Sequence, residues 1–115
     1  MDERLKKALE ISNLSTVVSN QRRILKEQFY NGLVLYKNGA KFEISPELIN
    51  FAQNVLNREI ESTVLIDSNG TPVKIENLEE FVDEIYDIYF SQLNKYYKEY
   101  KELIQKRSVD KIIND

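Results

Sequence analysis

Hydrophobic positions along the chain fall into three periodic regimes, and the most sustained runs from Asn77 to about Lys106. No Gly or Pro interrupts it. Asn77 followed three residues later by Glu80 has the spacing of a capping box. Acidic residues (Glu79, Glu80, Asp83, Glu84, Asp87) fill its first turns. Lys95, Lys98, Lys101, Lys106 and Arg107 fill its last, a polarity that complements the helix dipole. The pattern predicts a helix of roughly 30 residues, a rod of about 45 Å.

This segment carries two adjoining apolar stripes. Leu78, Val82, Ile85, Tyr89, Leu93, Tyr96, Tyr100 and Leu103 step by threes and fours, and Tyr86, Phe90, Leu93, Tyr97, Tyr100 and Ile104 lie beside them. Together they are wider than one core-facing seam requires, so two partners are expected for the helix. Tyr supplies large apolar contact with a polar tip, which suits a half-wet interface. Tyr86, Tyr89, Phe90, Leu93, Tyr96, Tyr97, Tyr100, Leu103 and Ile104 are therefore the candidate interaction residues. Packing inside the chain is the alternative use of the same side chains.

Residues 1–31 read as mostly helical, with Leu14, Val18, Gln21, Leu25 and Phe29 on one face and Val17, Ile24 and Gln28 beside them. Ser12, Asn13, Ser15 and Thr16 favour caps over helix interiors, so a break near Ser12–Ser15 is expected. Asn31-Gly32 supplies a left-handed stop.

Period-2 segments follow. Asn38-Gly39 is a two-residue type I′ signal, which sets Lys37 against Ala40, Tyr36 against Lys41, Leu35 against Phe42 and Leu33 against Ile44. Leu33, Leu35, Phe42 and Ile44 then share the inward face. Ser45 caps a short helix with Pro46 at its first position and an Ile44–Ile49 staple. Leu48, Phe51, Ala52, Val55 and Leu56 form its buried face, and it ends around Arg58–Glu61. A second hairpin spans Thr63–Ile75. With Asn69-Gly70 as its loop, Val64 and Ile66 share a face with Val73 and Ile75; a bulged turn through Ser68 is the competing geometry.

The two hairpin–helix units echo one another at an offset of about 30 residues. A tandem ββα repeat sharing a four-stranded sheet is the architecture this implies. The expected fold is thus α+β. Long N- and C-terminal helices pack with two hairpins and a short middle helix in a single domain of 115 residues. Its segments are 1–31, 32–76 and 77–115, with the tail after Lys106 either extending the helix or docking.

Composition narrows the chemistry. The chain contains no cysteine and no histidine. Disulfides, thiolate catalysis, Zn sites built on Cys or His, and imidazole acid–base chemistry are excluded. Net charge is -3, so the whole chain is no electrostatic magnet for nucleic acid. No apolar run reaches the length of a membrane span and the start lacks a signal-peptide core, so a cytoplasmic protein is expected. The acidic i,i+4 neighbours of the long helix could hold a hard cation, but their ordinary role is a solvated helix start. Asp67-Ser68-Asn69-Gly70 resembles half a calcium loop without the required glutamate, and reads as a turn. No catalytic, cofactor-binding or metal-ligating residue is assigned.

Arg22, Arg23 and Lys26 form the one basic cluster of the first half and are the candidate nucleic-acid contacts. An Arg23–Glu27 pair on a solvated helix face is the competing reading. Ser19–Lys26, Asn31–Tyr36, Pro46–Ile49 and Arg107–Lys111 resemble short proteins of T4-like marine bacteriophages, cyanophages especially. The resemblance implies a phage-encoded product in the cytoplasm of an infected bacterium and names no catalytic residue. The function expected is a non-catalytic assembly or adaptor protein that forms homo-oligomers or binds another protein. A nucleic-acid-binding accessory factor is the alternative.

Overall fold

A computed structural model describes residues 2–114, with side chains through Lys106. The elements in order are α1 (Glu3–Asn31), β1 (Val34–Lys37), β2 (Ala40–Glu43), α2 (Pro46–Asn57), β3 (Thr63–Ile66), β4 (Pro72–Ile75) and α3 (Leu78–Asn114). The class is α+β. The chain forms two compact units, one from Asn31–Asn94 and the other from the described residues of Met1–Tyr30 and Lys95–Asp115.

In the first unit, β1 and β2 pair antiparallel with Leu35 opposite Phe42 and Lys37 opposite Ala40, as the Asn-Gly turn dictates. Asn38 (φ 55°) and Gly39 (φ 76°) both take the left-handed region. Leu33, Phe42 and Ile44 are buried on the inward face. Ser45 caps α2 by accepting a hydrogen bond from the Leu48 N–H at 3.1 Å, and the staple residues Ile44 and Ile49 are both buried. The helix stops through Glu59, which takes a left-handed φ of 63° while its N–H donates to the Leu56 carbonyl.

The second hairpin takes the bulged turn. Leu65 pairs with Val73 and Thr63 with Ile75, one residue out of step with a two-residue Asn-Gly loop. Gly70 alone carries the positive φ, 81°. Leu65 and Ile75 are consequently buried, while Val64 and Ile66 point outward at 54% and 71% exposure. The face expected for Val64 and Ile66 is thus reversed, as a one-residue slip must do. The hairpins form two separate two-stranded sheets rather than one four-stranded sheet.

Three more expectations need correction. Phe51 is 56% exposed: Ile49 and Ala52 turn inward and rotate Phe51 off the buried face of α2. α1 runs unbroken through Ser12–Thr16, because the Thr16 hydroxyl donates to the Ser12 carbonyl at 3.1 Å instead of capping a new helix. Gly32 has no positive φ; a Cβ there would meet only the end of the flexible Gln92 side chain. The core of this unit is completed by Leu78, Phe81, Val82 and Ile85 from the start of α3, with the Phe42 and Phe81 rings edge-to-face at 5.2 Å.

In the other unit, α1 and the second half of α3 run antiparallel. The Phe29 ring lies 5.1 Å from Tyr96, and the Arg22 guanidinium sits 5.6 Å from the Tyr100 ring centre, so position numbers fall on one helix as they rise on the other. Leu14, Val18 and Leu25 are half-buried and Phe29 is buried, on the face that periodicity assigns to α1, while Gln21, assigned to the same face, is exposed. The backbone of α3 is helical through Asn114, which settles the course of the tail; the side chains after Lys106 lie outside the described residues.

Candidate interaction surface

Burial sorts the two stripes of α3. On the first, Leu78, Val82 and Ile85 are buried, and Tyr89, Leu93, Tyr96 and Leu103 are half-buried. On the second, Phe90 is 49% exposed, Tyr97 66% and Tyr100 37%, with Tyr86, Leu93 and Ile104 half-buried. α1 covers part of the tyrosine-rich half through the Phe29–Tyr96 contact. It leaves Tyr97 open.

Half-buried and exposed rings pair along α3 within each unit. Tyr86 and Phe90 stack at 5.8 Å with 10° between planes, and Tyr89 meets Phe90 edge-on at 5.7 Å. Tyr96 and Tyr100 are edge-to-face at 6.4 Å.

The basic cluster divides. Arg22 lies over Tyr100 as a cation–π contact, and Lys26 follows it at i+4 on the same side of α1. Arg23 turns away and pairs with Glu27 at 3.9 Å, both side chains mostly exposed, so this pair contributes little. The structure therefore joins Arg22 to the tyrosine stripe and separates Arg23 from it.

The acidic start of α3 has a partner that periodicity did not reveal. Lys37, on β1 and only 21% exposed in its side chain, donates to Glu84 at 2.9 Å and lies 3.9 Å from Glu80. Among the described residues no group of three carboxylates is placed to hold a metal ion. A hollow of about 310 Å³ lined by Leu56, Glu61, Glu76, Asn77 and Glu79 brings no nucleophile–base pair together. No helix among the described residues is long and apolar enough to cross a membrane.

Asp67 is the other residue whose role exceeds its sequence signal. Its carboxylate accepts from the N–H groups of Thr71 (2.8 Å), Asn69 (3.0 Å) and, across to the other hairpin, Lys41 (3.4 Å). Ser68 extends the link: its N–H donates to the Lys41 carbonyl at 2.8 Å and its hydroxyl accepts from the Glu43 N–H at 3.0 Å. In the β1–β2 ladder, Lys41 and Glu43 direct these groups to the outer edge, so the turn of the second hairpin closes an edge that would otherwise be open to pairing. The hairpins are joined by a turn, not by a shared ladder.

The hydrogen bond from Thr71 holds the Asp67 carboxyl below its ordinary range; burial opposes this, and the bonds from Asn69 and Lys41 add to it. With the folded value below the unfolded one, the carboxylate's stabilisation is complete above the unfolded value and is lost as pH falls through the folded one. Asp67→Ala is expected to lower Tm by several degrees at neutral pH, and by progressively less below about pH 4. Melting curves of both proteins from pH 7 to pH 2.5 check this; parallel curves would assign the loss to something other than the charged form.

The chain matches no protein-family model, no curated protein and no solved structure.

Proposed function

We propose that the protein is a non-catalytic interaction factor that self-associates through the outer stripe of α3 and serves in assembly or as an adaptor. The observation that carries this is the exposure of Tyr97 and Tyr100 on the part of α3 that packs with α1. Regularly spaced exposed aromatic rings of this kind mark contact surfaces. A chain without cysteine or histidine also lacks the commonest nucleophile and the commonest proton-transfer group. On the resemblance to T4-like marine bacteriophage proteins, its setting is the cytoplasm of an infected bacterium.

A second reading is favoured by one observation: Arg22 over Tyr100 beside the open Tyr97 combines a cation with stacking rings, as single-strand-binding surfaces do. Size-exclusion chromatography with and without a mixed-sequence oligonucleotide separates the two. Self-association gives an elution position that depends on protein concentration and ignores the oligonucleotide at physiological salt. A tight complex that dissolves with added salt would replace the first reading by the second.

A further inference from the structure

The second hairpin has an edge that the fold leaves unpaired. The Asp67 N–H donates to the Thr71 carbonyl at 2.9 Å. Behind it the bonded pairs of an antiparallel ladder alternate, Leu65 with Val73 and then Thr63 with Ile75. Val64 and Ile66 therefore direct their N–H and C=O groups away from β4, to the outer edge of β3. Among the described residues no strand pairs there, since β3 and β4 form a sheet of their own. The far edge, on β4, is blunted by Pro72, which has no donor, and by the exposed Lys74. β3 has no such guard: Val64 and Ile66 are β-branched and exposed.

The open end of the same hairpin is acidic. Glu61 stands two residues before β3, and Glu76 follows Ile75, the partner of Thr63. Both line the hollow of about 310 Å³, together with Glu79 and the half-buried Leu56. Among the described residues none of these three carboxylates forms an ion pair. We infer that β3 accepts an extended segment of another protein, two apolar residues in alternation followed by arginine or lysine. Val64 and Ile66 each offer one donor and one acceptor to an antiparallel strand, the pairing used in strand addition. Residues opposite Val64 and Ile66 share their outer face, which is why they are apolar. Past Thr63 the added strand runs toward the hollow, where three carboxylates lack a cation. Charge selects this occupant over a second copy. A second β3 in the same register would continue into Asp67, Ser68 and Asn69 and bring no cation to the hollow. The surface lies within the unit Asn31–Asn94, so it stands or falls apart from self-association through α3.

The probe is a fluorescein-labelled peptide, Ser-Val-Thr-Val-Thr-Arg-Arg-Ser, titrated with the full chain and followed by anisotropy. Saturable binding is expected. Replacing both arginines by glutamate, or combining Glu61→Gln with Glu76→Gln in the chain, is expected to weaken it roughly tenfold or more. Both carboxylates are exposed, so that variant keeps its fold. N-methylation of the two valine amides, whose N–H groups face β3, is expected to abolish binding without any change to the protein. Val64→Pro is expected to do the same, since it removes an outward N–H and leaves the β3–β4 bonds in place. Circular dichroism checks its fold, and the light-scattering mass of each variant is expected to equal the parent's. A parent that binds no peptide up to about 1 mM overturns the inference. So does binding that survives N-methylation, or that the glutamate peptide matches. A folded Val64→Pro chain that binds the peptide as the parent does also overturns it. One that loses self-association instead gives the edge to a second copy, which overturns it too.

Discussion

A chain carrying both Phe90→Asp and Tyr97→Asp is expected to run as a folded monomer, its self-association weakened by roughly a thousandfold or more. The magnitude follows from placing a carboxylate at four positions of the outer stripe in a symmetric pair, two from each copy. Burying an unpaired charge costs several kcal/mol or forces the surfaces apart, and about 4 kcal/mol is already a thousandfold. Folding is expected to survive, because Phe90 is 49% exposed and Tyr97 66% exposed in the single chain. Substitutions at such sites usually shift stability by less than about 1 kcal/mol. Circular dichroism and a melting curve establish the fold, and light scattering gives the mass. A variant that unfolds would place the second stripe in the core.

The largest loss of stability is expected from Phe81→Ala. Phe81 is fully buried and its ring meets Phe42 edge-on at 5.2 Å. Removing a buried aromatic ring costs about 3–5 kcal/mol, from lost transfer energy and from the cavity left behind. Against the roughly 5–15 kcal/mol that stabilises an ordinary domain, that is about a fifth of the total at the least. Phe51→Ala serves as the matched control: the same deletion on α2, at a ring 56% exposed, is expected to cost less than about 1 kcal/mol. Urea denaturation of the two variants measures the difference. Equal losses would contradict the assignment of Phe51 to the surface.

These paired outcomes mark where sequence pattern suffices and where it stops. The first hairpin was legible to the residue because Asn38-Gly39 admits one tight turn, and that turn fixes every pair behind it. The second was not, because Asn69-Gly70 sits beside Asp67, whose carboxylate collects three N–H groups and stabilises a three-residue loop instead. That is a tertiary contact, since one of the donors is Lys41 on the other hairpin. Phe51 failed for a related reason. A short helix with six apolar positions offers two faces, and the Ile44–Ile49 staple selects the one that excludes it. On α3 both stripes could be read from spacing alone. Which of them stays open could not, because it depends on which residues of α1 and of the hairpins come to lie against the helix. The division of the basic cluster was partly legible: the i,i+4 spacing of Arg23 and Glu27 foretold their pairing, but nothing local placed Arg22 over Tyr100.

The central claim is that the outer stripe of α3 joins two copies of this chain. Multi-angle light scattering of the unmodified protein from about 1 to 100 μM, a range that brackets ordinary dimer dissociation constants, tests it most directly. A mass that rises with concentration and levels at twice the 13.6 kDa of the single chain is the predicted result. A mass that stays at 13.6 kDa across the whole range would contradict it.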